Sequence, residues 1–214
     1  MTYEAVVFDM DGVLLSGYHT PREVYRRATR EVLAEFGVED PPESLYEHDS
    51  AETWQRTCES IGVPAEDVWR ARERRASELE NERIAAGERQ PFADADVMHD
   101  LDSTGIVSNN RRDTVNFVVD HFEFPTRVAY GRSPTLAGFE RRKPNPHYLH
   151  RALDDLGVRP ADALYVGDRA SDVRTARNAG TDAALLARDG TPETREDPDY
   201  RIESLRDLES LISP

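Results

Sequence analysis

The sequence predicts an α/β protein, a doubly wound parallel sheet interrupted by an inserted helical segment. Three observations carry that expectation. Short apolar blocks, AVVF (5–8), IVS (106–108) and ALYV (163–166), each stop at a polar or glycine-containing turn, as buried strands do. From Pro91 onward strand-like and helix-like blocks alternate, the pattern that sets parallel strands between two layers of helices. Between Pro21 and about Gly87, by contrast, no strand-like block occurs.

In chain order, residues 4–8 form the first expected strand, ended by Asp9 and Gly12. Helical spacing then recurs at Val24, Ala28, Val32 and Phe36, and again at Trp54, Cys58 and Ile61, with breaks at Gly37 to Pro42 and Gly62 to Pro64. The stretch 65–86 is dense in Arg and Glu, so its helix is expected to present mostly a solvated face. The alternation that follows reads as helix 94–101, strand 105–108, helix 110–121, strand 127–130, helix 145–156, strand 163–166, helix 170–179 and strand 182–186. The tail 189–214 reads as polar loop until a helix-like stretch near 203–212. Crossovers in such a sheet are right-handed, and ligands collect outside the carboxyl ends of its strands.

A chain of 214 residues suits one large domain, or one with a modest insertion. Hydrophobic content is low at 38%, but its gathering into blocks argues for a folded chain. The net charge of −15 repels nucleic acid and anionic membrane surfaces, so neither is an expected partner. Lys143 is the sole lysine; every other cationic side chain is Arg. Carboxylate excess with lysine depletion resembles proteins of salt-loving organisms, where a hydrated acidic surface preserves solubility; a GC-rich genome favouring Arg codons is the alternative. Cys58 stands alone, which precludes an intramolecular disulfide. The opening MTYEAVVFDMDG has neither a basic nor an apolar leader segment, and no stretch is long and apolar enough for a bilayer, so a cytoplasmic location is expected.

The candidate chemistry lies at the strand ends. Asp9 and Asp11 are two apart on an extended segment, so both carboxylates can face one site, and Gly12 permits a sharp turn; a plain turn, an Asx cap or a simple metal site would use the same residues. Ser108 and Asn109 end the strand GIVSNN and could hold phosphate oxygens, or merely cap the next helix. Lys143 precedes Pro144, which favours an extended backbone there; a compact ammonium retained among arginines suits bridging an aspartate and a phosphoryl group. In GDRASD (167–172), Gly167 allows close backbone approach, and Asp168 and Asp172 could present oxygens to one Mg²⁺, or serve as cap and helix-dipole partner.

Taken in order, FDMDGVL (8–14), VSNN (107–110), KP (143–144) and GDRASD (167–172) resemble the motifs of the haloacid dehalogenase superfamily, and the resemblance spans essentially the whole chain. The inserted helices fall where its phosphoglycolate phosphatase-like branch carries a helical cap. The resemblance implies a Rossmann-like core from residues 1–15 and 89–214 with a cap over 16–88. It further implies a Mg²⁺-dependent phosphatase acting on a small phosphorylated metabolite of phosphoglycolate or sugar phosphate type. In that scheme Asp9 is the nucleophile and Asp11 the acid/base, Ser108, Asn109 and Lys143 bind phosphate, and Asp9, Asp11 (by its carbonyl), Asp168 and Asp172 hold the metal. Asp11 argues against dehalogenation, because phosphatases and mutases carry Asp there. LSGYHT (15–20) and Arg169 depart from the branch's pattern, which weakens substrate assignment by analogy.

Candidate substrate contacts in the cap are Tyr18, His19, Arg22, Tyr46, His48, Trp54 and Arg56, although Trp54 at helical spacing also suits a cap core. His99, His121, His147 and His150 show no metal-ligand spacing. Two alternatives stand beside the phosphatase reading: a sugar phosphomutase of the same branch, and a non-enzymatic receiver-like module phosphorylated on aspartate. The oligomeric state is not legible.

Overall fold

A computed structural model describes residues 3–17, 19–46, 50–188 and 195–212. Six parallel strands form one sheet: β1 (Ala5–Phe8), β2 (Thr104–Arg111), β3 (Val128–Arg132), β4 (Ala163–Gly167), β5 (Asp182–Leu186) and β6 (Tyr200–Ile202). Their spatial order is β3-β2-β1-β4-β5-β6. The order reverses at β1, so the crevice above β1, β2 and β4 is the topological switch point where doubly wound sheets bind ligands.

Strands β1 to β5 feed both faces of the sheet. In β1, Val6 and Phe8 join one core layer with Val115 and Val118 of α4 (Arg112–His121) and with Met98 of a 3₁₀ stretch (Ala93–Asp100). Ala5 and Val7 join the opposite layer, with Leu149 and Leu153 of α6 (His147–Leu156) and Val173 and Ala176 of α7 (Ala170–Ala179). Burial on both sides is why these strands read as continuous apolar runs.

Between β1 and β2 come α1 (Arg22–Glu35), a 3₁₀ turn (Glu43–Leu45), α2 (Ala51–Ser60) and α3 (Ala65–Ala85). They enclose a core of their own, with Trp54 and Trp69 edge-to-face at 5.0 Å and Leu33, Leu45, Cys58 and Val68 around them. Leu136 enters this core from α5 (Leu136–Glu140), a short helix capped by Thr135 that the sequence did not announce.

Several expectations are corrected. Helix α3 is not mainly a solvated face: Arg72, Glu73, Ser77 and Glu80 are buried beside Val68, Trp69 and Leu79. Glu73 accepts from Arg72 at 2.8 Å and also pairs with Arg132 of β3, while Arg111 of β2 reaches Ser77 at 3.0 Å and Thr20 at 3.1 Å. Strand β2 continues to Arg111 and helix α4 starts only at Arg112, so Ser108 and Asn109 are strand residues and do not cap that helix. The tail contributes β6 to the sheet edge, then a 3₁₀ turn (Leu205–Leu208) and α8 (Glu209–Ile212).

Candidate active site

The carboxyl ends of β1, β2 and β4 converge on a cavity of about 120 Å³. Asp9 directly follows β1, and its N–H still bonds the carbonyl of Val166 at 2.8 Å. Met10 is fully buried, so Asp9 and Asp11 on either side of it both face the cavity. Gly12, at φ +84°, then turns the chain, and the N–H groups of Leu14 and Leu15 close back on the Met10 carbonyl.

Lys143 is buried, with Nζ 2.9 Å from Oδ1 of Asp9 and 2.6 Å from Oδ1 of Asp172. It also donates at 3.0 Å to the hydroxyl of Tyr165 on β4, which itself donates to the Val107 carbonyl at 2.9 Å. Burial alone would lower the Lys143 pKa, yet the carboxylates of Asp172 and Asp9 hold it well above its ordinary value. The ammonium is thus a fixed positive charge between two acids.

Ser108 is buried beside the cavity, its Oγ accepting from the Asn110 N–H at 3.1 Å, so its hydroxyl hydrogen is free to donate to a ligand. Asn109 also lines the cavity, and its side chain accepts from the Lys143 N–H at 2.7 Å and donates to the Lys143 carbonyl at 3.3 Å. That amide clips the lysine loop in place. Asn110 donates to Oδ2 of Asp11 at 3.0 Å.

Asp9, Asp168 and Asp172 can bring one oxygen each to within 4.8 Å of one another. Two oxygens across a Mg²⁺ at about 2.1 Å each would stand about 4.2 Å apart, so the set matches a hard divalent cation. Both carboxylate oxygens of Asp168 are buried without a hydrogen-bond donor, and the Arg169 Nε at 3.8 Å is too distant to supply one. Burial, reinforced by Asp172, pushes the Asp168 carboxyl up to about 6. Burial likewise pushes Asp9 up to about 8, with Lys143 opposing and Asp172, Asp168 and Asp11 adding to it. Crowded acids with raised pKa values are what a cation would relieve.

The two acids after Gly167 differ in duty. The amino-terminal cap of α7 is Arg169, so Asp168 is not a capping residue. Asp172 accepts from the Arg169 N–H at 3.0 Å while pairing with Lys143, so it performs the helix-terminus job and the site job together. Gly167 is required by proximity: a Cβ there would lie 2.2 Å from that of Asp172.

Of the candidate cap contacts, His19 lines the cavity, whereas Tyr18 and His48 lie outside the described residues. Trp54 is fully buried core, Tyr46 lies under the Arg26 guanidinium at 4.3 Å, and Arg22 and Arg56 are exposed away from the cavity lining. His99, His121 and His150 are exposed, and none of the four histidines named joins the acidic cluster. Residues not singled out from sequence also border the cavity or its acids: Thr20, Tyr25, Asn110, Ser171, Tyr165 and Arg89. Tyr165 had a signal, being one of the alternate residues of a strand that ends at Gly167; Arg89 had none, since nothing local ties it to Asp11.

Residues 3–180 match the family model of haloacid dehalogenase-like hydrolases. The chain belongs to that family. This hydrolase is 27% identical over 99% of its length to the pyrophosphatase PpaX of Anoxybacillus flavithermus, covering 98% of that protein. It is 34% identical to the Bacillus velezensis PpaX, over 49% of each chain. The crystal structure of CbbY from Rhodobacter sphaeroides in complex with phosphate superposes with a TM-score of 0.63 at 23% identity, covering 97% of this chain and 96% of that one, which establishes a shared fold.

Proposed function

We propose that this hydrolase is a Mg²⁺-dependent phosphatase that cleaves a small phosphomonoester through an aspartyl phosphate on Asp9. The observation that carries the reading is the placement of Lys143 Nζ within 2.9 Å of Asp9 beside a buried acid whose oxygens accept no hydrogen bond. An electrophile bound there would meet a nucleophile, a fixed cation and a hydroxyl donor together.

Asp9 attacks phosphorus in line, its Oδ–P bond forming as the bond to the leaving oxygen breaks, and Asp11 gives that oxygen its proton. Asp11, now a carboxylate, takes a proton from water; the hydroxyl oxygen attacks phosphorus, and Asp9 leaves as a free carboxylate with inorganic phosphate. Lys143 and the Ser108 hydroxyl hold the phosphoryl oxygens throughout. Asn109 acts by fixing the loop that carries Lys143. Asp9, Asp168 and the Asp11 carbonyl would hold Mg²⁺, with Asp172 supporting from behind because its oxygens already serve Lys143 and Arg169. When bound, the ion supplies charge neutralisation for the phosphoryl group.

We read residues 16–88 as the cap over this site. A cavity of about 120 Å³ equals roughly four water volumes, room for a phosphoryl group and a small polar remainder. The test is a panel of phosphoglycolate, hexose phosphates, nucleotides and pyrophosphate, in low and multimolar KCl, with Mg²⁺ or chelator and Asp9→Asn as blank. Phosphate release that needs Mg²⁺ and Asp9 is expected, and it should be favoured by salt if the acidic surface is a halophilic adaptation. Release that persists in chelator or in Asp9→Asn would overturn the mechanism, and isomerised hexose phosphate without net release would make the enzyme a mutase.

A further inference from the structure

Two chain crossings join the helical segment to the sheet, and they are hydrogen-bonded to each other. The Ser16 N–H bonds the Gln90 carbonyl at 2.9 Å, the Gln90 N–H bonds Ser16 Oγ at 2.9 Å, and the Phe92 N–H bonds the Leu14 carbonyl at 2.9 Å. Arg89 sits in this ribbon, only 7% exposed. Its Nε donates to the Ser16 carbonyl at 2.7 Å, Nη2 to the Gly17 carbonyl at 3.0 Å, and Nη1 to Oε1 of Glu80 on α3 at 3.0 Å. Gly17, at φ +82°, leaves the space that the guanidinium fills; a Cβ there would stand 3.2 Å from Nε.

Those contacts already satisfy Arg89, since two carbonyls fix its plane and Glu80 balances its charge. Yet the shortest bond of the group goes elsewhere, from Nη2 to Oδ1 of Asp11 at 2.6 Å. The other Asp11 oxygen accepts from Asn110 Nδ2 at 3.0 Å, and Asn110 is itself held by the Arg111 N–H bonded to its Oδ1 at 2.8 Å. Asp11 is therefore gripped at both oxygens by donors from two elements, the ribbon of paired crossings and β2. One donor on each oxygen fixes the rotamer of this two-torsion side chain in a polar cavity.

We propose that Arg89 is a positioning residue for Asp11, setting from the ribbon of paired crossings the direction in which the acid/base carboxylate points. The inference rests on the acid/base role assigned to Asp11. Proton transfer to a leaving oxygen depends steeply on that direction, and a misplacement of about 1 Å costs on the order of a hundredfold in rate.

The experiment compares kcat/KM, which reports steps up to the first irreversible one, for two Mg²⁺-saturated substrates. p-Nitrophenyl phosphate has a leaving group that departs as a stable anion without needing a proton; ethyl phosphate has one that needs it. Asp11→Asn is the reference variant, and Arg89→Gln and Arg89→Lys are the tests. We expect Arg89→Gln to lose at least about tenfold more on ethyl phosphate than on p-nitrophenyl phosphate, the same signature as Asp11→Asn, with Arg89→Lys recovering part of it. If Asp11→Asn discriminates between the substrates while Arg89→Gln loses equally on both, or loses nothing, the positioning role is overturned and Arg89 only ties the two crossings together. If Asp11→Asn itself does not discriminate, the acid role of Asp11 fails and this inference falls with it. Should Arg89→Gln not fold, Arg89→Lys carries the comparison, and an equal loss on both substrates overturns the proposal in the same way.

Discussion

Nζ of Lys143 lies 2.6 Å from Oδ1 of Asp172, nearer than it lies to Asp9, the proposed nucleophile. The lysine is thereby anchored from α7 and leans toward Asp9, with the Tyr165 hydroxyl fixing it from below. A planar fork cannot meet Asp9, Asp172 and Tyr165 with the geometry of a compact ammonium. Lys143→Arg is expected to lose activity by about a hundredfold or more, measured as phosphate release. Lys143→Met should lower unfolding stability by about 3 kcal/mol in denaturant titration, because it strands buried acids without their cation.

Asp9→Asn should reduce turnover at least about a thousandfold while the fold is kept, since the amide cannot form the acyl phosphate. The same variant has a stability signature. The Asp9 carboxyl sits near 3.8 in the unfolded chain and is pushed up to about 8 in the fold, so between these values the unfolded chain holds fewer protons. Stability of the metal-free protein must then fall as pH rises across that window. Asp9→Asn should flatten the fall, read as denaturation midpoints at pH 5 and pH 8 in chelator; an unchanged slope would count against the buried, crowded Asp9.

Mg²⁺ binding should release protons at pH 6 to 7, because it selects the ionised forms of Asp9 and Asp168, whose carboxyls are raised to about 8 and about 6. Affinity should increase as pH rises toward 8. Calorimetry in two buffers of different ionisation enthalpy measures the protons directly, and equal heats in both would contradict the expectation.

Gly167→Ala places a methyl group 2.2 Å from the Asp172 Cβ. Asp172 cannot yield without releasing both Lys143 and the Arg169 N–H. A loss of about 2 to 3 kcal/mol in stability is expected, with weakened Mg²⁺ binding alongside it.

Glu73→Gln tests the docking of α3 on the sheet. Glu73 is fully buried between Arg72 and Arg132, and losing its charge leaves two guanidiniums without a counter-ion. Thermal unfolding should drop by an amount equivalent to about 3 kcal/mol, whereas Glu78→Gln on the exposed side of α3 should change little.

The sheet was legible because parallel strands buried on both faces leave unbroken apolar runs, as in AVVF and ALYV. Strand β6 was not, because Tyr200, Arg201 and Ile202 alternate at an edge and are too few to register. Arg- and Glu-rich α3 was read as solvated because sequence cannot show that its charges find partners on other elements, Arg132 among them. Asp9, Asp11, Ser108, Asp168 and Asp172 stood out through their positions at strand ends and Lys143 as the sole lysine before Pro144, and the fold brings them together. Asn109 stood out too, and it borders the cavity while its side-chain amide bonds the lysine loop. Arg89 is separated from Asp11 by the whole helical segment, and no local pattern encodes that meeting.

The end of β2 has a consequence for how this gene can change. From Ser108 to Arg111, across a shift in the β2–β3 register, four consecutive side chains serve different neighbours: Ser108 borders the cavity, Asn109 borders it and clips the lysine loop, Asn110 borders it and holds Asp11, and Arg111 reaches Ser77 and Thr20. A single-residue insertion or deletion here would exchange those tasks wholesale. Point substitutions at these sites degrade one function at a time, whereas a one-codon indel would disable several at once, so this short stretch should tolerate drift in letter far better than drift in length.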